Sequence, residues 1–494
     1  MMNNRGRNRK LKAGALALAV TLTLTGCLSN SDKKTSAGGV EREAQGSLKV
    51  AFFNEQAFYL QYGNAFQAMF PNVQLEVVPT DTVFSGDDPV AGMEKLLAEQ
   101  HPDVLLVTEE QYAELAKKGL LYDLDAAIKQ DEFDLGAFAP AVIDLLKARG
   151  GGKLYGLSPS FSSRALYYNK DLFDQHGIPY PTDGMSWEEA MRLAARFPVK
   201  KDGDDPLYGL FQPSQTTEAF ELIRTIGEAK GLSYADTDAG TVTIDSPEWK
   251  EIIEAVVEGY KSGSISMPSQ DGAMGGGAFS LQGAGGGKTF RIGGDSMRFM
   301  SGQAAMAIDD SMLMGLLGIG KTGGAGLSVR AAAPSGNGGG KGGPSPFKDI
   351  DWDVVSLPTD PSQPDVAGGI SLENVFAINA SSENVSVAWE LLKYANGEQL
   401  ARTNAMSSSS LSSRTAFKKQ EEGKNLDAFY ALGANSQILL QNLPEDFEAS
   451  FGKLASEQIV KAAEEKATVD EAVQAMQTQG QQLLTEALAS EGQP

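Results

Sequence analysis

The sequence predicts an α/β fold, and three observations carry the prediction. Strand and helix patterns alternate from residue 48 onward, one strand is apolar throughout, and helix-start and helix-stop chemistry brackets the intervening segments. Leu48–Phe53 (LKVAFF) is a short apolar run. Tyr59–Phe70 has helical spacing and stops at Pro71. Val73–Val78 (VQLEVV) alternates apolar and polar residues, the period of a half-buried strand. Met93–Gln100 reads as a helix, and Asp103–Val107 (DVLLV) as a strand covered on both faces of a parallel sheet. Glu109–Lys118 is helical, with acids in its first turn, lysines in its last and Gly119 beyond. The order β-α-β-α-β-α is that of a doubly wound domain. Ligands of such sheets lie beyond the carboxyl ends of the strands. Asn54 and Glu55, after the first strand, and Thr108 and Glu109, after the third, are therefore candidate binding residues.

The first 26 residues have a separate logic. Arg5, Arg7, Arg9, Lys10 and Lys12 precede the apolar, small-residue stretch LKAGALALAVTLTLTG. That stretch is shorter than the ~20 residues needed to span a bilayer. Basic head, short apolar core and small-residue cleavage point form a secretory signal. It ends Leu24-Thr25-Gly26-Cys27, which resembles the lipobox of bacterial lipoproteins. The expectation is a signal peptide at 1–26, lipidation at Cys27 and a polar tether at 27–46. The product would be anchored on the extracellular face of the cell membrane, in the Gram-positive manner. Cys27 is the only cysteine, which excludes an intrachain disulfide and a cysteine zinc site.

Charge narrows the partners. The chain carries −22, and removing the five cations of residues 1–26 takes it to −27. Such a body is disfavoured on nucleic acid and on anionic membrane surfaces. After the tether about 450 residues remain, enough for two or three domains.

A set of motifs then follows in order. Lys153–Gly156 leads to Ser158–Ser163, then to Ala165–Phe173 (ALYYNKDLF) and HGIPYPTDGMSWEEAM. Met300–Ile308 (MSGQAAMAI), Trp352–Pro358 (WDVVSLP), Gly368–Ala380 and Ala388–Tyr394 (AWELLKY) continue the series. Together these resemble the extracellular solute-binding proteins of ABC importers, the maltose-binding-protein-like, carbohydrate-binding family. The resemblance implies a two-lobed type II periplasmic-binding-protein fold, each lobe a doubly wound sheet with flanking helices. Ser158–Ser163 and Val366–Ser371 would be hinge crossings. The N-terminal lobe would span 47–158 plus 370–420, and the C-terminal lobe 163–366 plus 425–490. The implied function is capture of a small solute, a sugar or oligosaccharide, between the lobes for delivery to the permease subunits. Such a protein is a monomer and not an enzyme, and needs neither cofactor nor metal.

The resemblance also places ligand contacts. Phe161 and Ser162 lie on the first crossing and Arg164 just after it, Asp309, Asp310 and Met312 follow the AMAI strand, and Glu373 follows the second crossing. Met312 stands where sugar-binding members often carry an aromatic; Phe161 or Tyr62 would supply the missing ring. Carboxylates such as Glu55, Glu109, Asp309 and Glu373 would accept from hydroxyls, whereas Arg164 would suit an anion.

Other motifs weigh less. Gly315–Thr322 fits a phosphate-loop pattern, but glycines follow where the mechanism needs a helix. His101 and His176, the two histidines, lack metal-ligand spacing and read as surface residues. Trp187, Trp249, Trp352 and Trp389 read as core or helix-start residues. Glycine-dense 272–294 and 318–346 read as flexible surface insertions. The competing functions are a surface-anchored hydrolase, for which no nucleophile or acid pair stands out, and an envelope or adhesion lipoprotein that keeps the fold without transport.

Overall fold

The computed structural model describes residues 45–84, 88–199, 207–212, 218–268, 279–283, 290–292, 296–321, 327–331, 348–366, 368–407, 410–433 and 443–491. The signal segment, Cys27 and most of the tether lie outside them. Two sheets organise the body. The first contains β1 (Gly46–Phe52), β2 (Val73–Pro79), β3 (Val104–Val107) and β4 (Gly156–Leu157). The second contains β5 (Ser160–Asn169), β6 (Tyr208–Phe211), β7 (Ala304–Asp310) and β8 (Trp352–Ser356). The chain then adds β9 (Ile370–Leu372), β10 (Val375–Ile378) and β11 (Leu411–Ser412).

In the first sheet the order is β2-β1-β3-β10-β4, with β1 parallel to β2 and β3 and with β10 antiparallel to β3 and β4. The apolar runs explain this: Val104–Val107 is buried throughout, as the central position of β3 requires. The second sheet has the order β8-β5-β7-β6. Its long strand β5 also receives β9 and β11 on its first residues, through Ile370↔Ser163, Leu372↔Phe161 and Leu411↔Phe161. Three segments thus run side by side between the two sheets.

Alternation along β5 divides the interior. Tyr167, with Phe211 and Trp352, joins the core of the first sheet, whereas Leu166, with Leu210 and Ile308, joins a second core. That second core is roofed by helices Glu221–Ala229, Pro247–Ser262 and Glu445–Ala463.

Local details refine the sequence reading. The helix expected over 59–70 is interrupted: a π-turn occupies Tyr59–Gly63, between short helices α1 (Glu55–Phe58) and Asn64–Met69. The four tryptophans are buried. Helix Trp187–Ala194 opens with a capping box between Ser186 and Glu189. Parts of the glycine-dense stretches are strands rather than plain insertions: Phe290–Ile292, Phe279–Gly283 and Leu327–Ala331 pair antiparallel in a small sheet. His101 is an exposed, left-handed helix terminus, φ 47°. His176 is not simply a surface residue, since its ring packs edge-on against Phe197.

Candidate functional site

Because β1 and β3 are parallel, their carboxyl ends bring Phe53-Asn54-Glu55 and Thr108-Glu109 to one edge of the first sheet. The side-chain oxygens of Asn54 and Thr108 are already in use. Asn54 Oδ1 accepts from Ala57 N at 2.8 Å, starting α1. Thr108 and Gln111 bond reciprocally (3.2 and 3.1 Å), starting α2 (Glu109–Lys117). Glu55 is exposed.

Glu109 has a structural part. Its Oε1 accepts from Arg149 Nε at 2.8 Å, at the end of α3 (Pro140–Arg149), and its Oε2 accepts from Leu372 N in β9 at 2.9 Å. One carboxylate therefore ties two helices to a crossing segment. Glu373 accepts from Ser160 Oγ at 3.0 Å, which ties the β9–β10 turn to the start of β5. Tyr62, a candidate ring, is buried edge-on against Phe52 and Phe376. Burial, helped by Tyr394 and Glu373, pushes its phenol up to about 12.

The crossing strand separates its own candidates. Phe161 is 1% exposed and packs edge-on against Tyr430, so its ring is enclosed and is not the missing ligand platform. Ser162 is part-exposed and pairs with Ser371. Arg164 pairs across the sheet with Asp310 and donates from Nη1 to Glu221 Oε1 at 3.0 Å. Glu221, 7% exposed by side chain, opens helix α4 (Glu221–Ala229) and also accepts from Arg224 Nε and Nη2, at 3.1 and 2.7 Å. Arg224 Nη1 donates to Glu228 at 2.5 Å. Burial pushes the Glu221 carboxyl up, but the Arg224 and Arg164 guanidiniums outweigh it and hold it below the ordinary range. Burial prevails at Glu228, whose carboxyl is raised. The next segment packs backbone against this chain of charges. A Cβ on Gly368 would lie 2.9 Å from Glu228 Oε2, and one on Gly369 (φ 89°) 2.9 Å from Arg164 Cδ.

At the end of β7, Asp309 Oδ1 accepts from Asp310 N at 2.8 Å, and Asp310 Oδ1 from Met312 N at 2.7 Å. The latter bond starts helix α5 (Ser311–Lys321). Met312 is 53% exposed. The phosphate-loop pattern lies inside α5 up to Lys321, so its amides are not free to cradle a phosphate.

The structure thus gathers Glu109, Ser162 and Glu373 about the crossings, and Arg164, Asp309, Asp310 and Met312 at the carboxyl edge of the second sheet. Two features escaped the sequence reading. Phe53, 45% exposed, follows β1 directly, yet in sequence it merges with an apolar run. The Glu221–Arg224–Glu228 array has helical i, i+3 and i, i+4 spacing, a signal that marks any solvated helix face equally well.

A polar pocket of about 410 Å³ lies at the opposite, amino edge of the first sheet, among Lys49, Glu76, His101, Asp103, Ser382 and Asn384. Asp103 is saturated there by Lys49 N, Ser382 Oγ and Asn384 Nδ2. Among the described residues no group of three or more His, Cys, Asp or Glu is arranged to hold a metal, and no helix is long and apolar enough to cross a membrane.

Comparison with known proteins places this geometry. Residues 53–401 match the family described as bacterial extracellular solute-binding protein. A putative binding protein of Brucella abortus (strain 2308) is 32% identical over 210 residues, 41% of this chain and 46% of the relative; the chain thus spans about half the relative's length in that match. Among solved structures, an open-conformation sugar transporter from Rhizobium etli superposes with TM-score 0.62 at 19% identity, covering 88% of this chain and 99% of the other. A cyclo/maltodextrin-binding protein complexed with maltotetraose gives 0.59 at 16% identity, covering 90% and 98%.

Proposed function

Since the chain belongs to the bacterial extracellular solute-binding protein family, we propose that it captures a sugar or oligosaccharide for an ABC importer. The ligand sits between the carboxyl edges of the two sheets, and the lobes close on it. The N-terminal lobe is 47–158 plus 370–420 and the C-terminal lobe 163–366 plus 425–490. The observation that carries this reading is the side-by-side run of β5, β9 and β11 between the sheets, a geometry suited to hinge closure. The likeness to a sugar transporter and to a cyclo/maltodextrin-binding protein favours a carbohydrate.

The chain's groups suit such a ligand. Phe53 offers an exposed ring and Met312 an exposed thioether, one beside each sheet, for the apolar faces of a pyranose. Arg164, Asp310, Ser162 and Glu55 offer donors and acceptors for hydroxyls. Glu109 and Glu373 hold the crossings, so their contribution is to where the lobes pivot. No bond is made or broken, and closure presents a surface to the permease. Cys27 carries the lipid that keeps the captor at the cell surface, with 27–46 as tether; Cys27→Ser should release the protein into the medium.

Purified protein lacking residues 1–27 should melt higher with a member of a sugar panel. Linkage gives about 2.7 kcal/mol at ligand 100-fold above Kd. A shift from amines, peptides or anions and from no sugar contradicts the carbohydrate reading.

A further inference from the structure

Gln212 follows β6 directly and is 7% exposed. Its Oε1 is buried and finds no hydrogen-bond partner among the described residues. Folded interiors leave few such groups, and an unpaired buried amide lowers stability, so each one asks for a reason. Thr80 Oγ1 is similarly unpaired at the end of β2, but Thr80 is 0% exposed. Gln212 keeps 7% exposure as a residue although its Oε1 is itself covered, so a ligand meets that oxygen once the side chain turns.

Register locates it. Strands β7 and β6 are parallel, with Met306↔Leu210 and Ala307↔Phe211 as the last pairs; continuing that register one residue past the strand would set Gln212 opposite Ile308. On its other side β7 pairs Ile308↔Leu166 and Asp310↔Arg164. Strand alternation then puts Leu210, Gln212, Ile308, Asp310, Leu166 and Arg164 on one face of the sheet. Leu166, Leu210 and Ile308 share the second core with Leu222, Ile223 and Ile226 of α4, and Arg164 binds Glu221 at the start of that helix. Gln212 therefore lies at the carboxyl end of its strand, on the face and at the edge where Arg164 and Asp310 stand.

We infer that Gln212 is a specificity-determining residue of the cleft, accepting through its carboxamide oxygen from a hydroxyl of a neutral, polyhydroxylated ligand. The inference rests on the solute-capture reading and sharpens it. A carboxamide oxygen attracts a hydroxyl proton and repels a carboxylate or phosphate. Asp309 and Asp310 at the same edge, with Glu221 and Glu228, outnumber Arg164 and Arg224. Arg164 is accordingly a donor to a neutral ligand oxygen rather than the mark of an anion, with Glu221 as the group that positions its guanidinium.

The test uses the chain from residue 28, wild type and Gln212→Met, with maltotetraose and tetragalacturonate as probes. Met keeps the volume and removes the unpaired amide, so the ligand-free variant should melt higher by roughly 1–3 °C. Maltotetraose affinity should fall about tenfold or more, because the ligand hydroxyl loses its acceptor. A lower ligand-free melting temperature, or an unchanged affinity for maltotetraose, overturns the inference. Wild-type protein that binds tetragalacturonate and not maltotetraose overturns the neutral class. If wild type binds neither probe, the affinity comparison is repeated with the member of the sugar panel that raises the melting temperature, a panel without any such member contradicts the carbohydrate reading, and a ligand-free variant that melts no higher than wild type overturns the inference in either case. Gln212→Leu serves in the same comparison if the Met variant does not fold.

Discussion

Replacing Glu221 by Gln removes the charge at the centre of the Arg164–Glu221–Arg224 array. Three N–H groups donate to this carboxylate, at 2.7 to 3.1 Å. Removing one partner of a fully buried pair costs about 3–5 kcal/mol, mostly because the remaining charge is left without compensation. Here the Arg164 and Arg224 side chains keep 37% and 35% exposure, so water recovers part of the loss. Arg224 also keeps Glu228. The expected cost is therefore about 2–3 kcal/mol at pH 7. Urea unfolding followed by circular dichroism reads it, with a midpoint shift of about 0.5 M, since the urea dependence of a body this large exceeds the ~3 kcal/mol/M of small proteins. Glu188→Gln is the control: its pair with Arg192 is 77% and 63% exposed and should be worth under about 0.5 kcal/mol. The sign with pH follows from the depressed Glu221 carboxyl. Its stabilisation is complete above the unfolded carboxylate pKa and is lost as pH falls through the lowered folded value. A Glu221→Gln cost no larger than that of Glu188→Gln would refute the reasoning.

Two further outcomes are expected. Asp131 accepts from Lys393 at 2.7 Å and Trp389 Nε1 at 2.9 Å, and the Lys393 bond does most to hold its carboxyl below 3.8. Asp131→Asn should cost about 1 kcal/mol at pH 7, with wild type and variant converging in calorimetry as pH falls through the lowered value; a gap that persists in acid would contradict the assignment. Gly369→Ala should cost about 1–3 kcal/mol for its φ of 89° and should also weaken ligand binding, since the new Cβ presses on Arg164. Gly119→Ala, at φ 67° with open space around it, should show strain in a melting scan and leave ligand affinity unchanged.

The first sheet was largely legible because parallel strands buried on both faces are written as apolar runs. VLLV of β3 is buried along its whole length. The return strand β10 was not, because its place between β3 and β4 depends on pairings more than two hundred residues apart. The site divided along the same line. Position after a strand or within a motif led to Glu109 and Phe161, but their partners decide what they do. Glu109 meets Arg149 and Leu372, and Phe161 meets Tyr430, contacts that no local pattern encodes. Phe53 was missed for the opposite reason: in LKVAFF it is indistinguishable from the core residue Phe52, and only the end of β1 at Phe52 turns it outward. Family motifs, which condense such long-range information, carried the reading of the crossings and the second sheet.

The central claim is that a sugar is held between the lobes beside Phe53. Native mass spectrometry of the chain from residue 28, mixed with neutral oligosaccharides, amino acids and oligopeptides, tests it most directly. The account predicts one 1:1 oligosaccharide adduct, weakened about tenfold in Phe53→Ala, whose melting temperature without ligand stays at the wild-type value. A peptide or amino-acid adduct in its place, or a sugar adduct indifferent to Phe53, would contradict it.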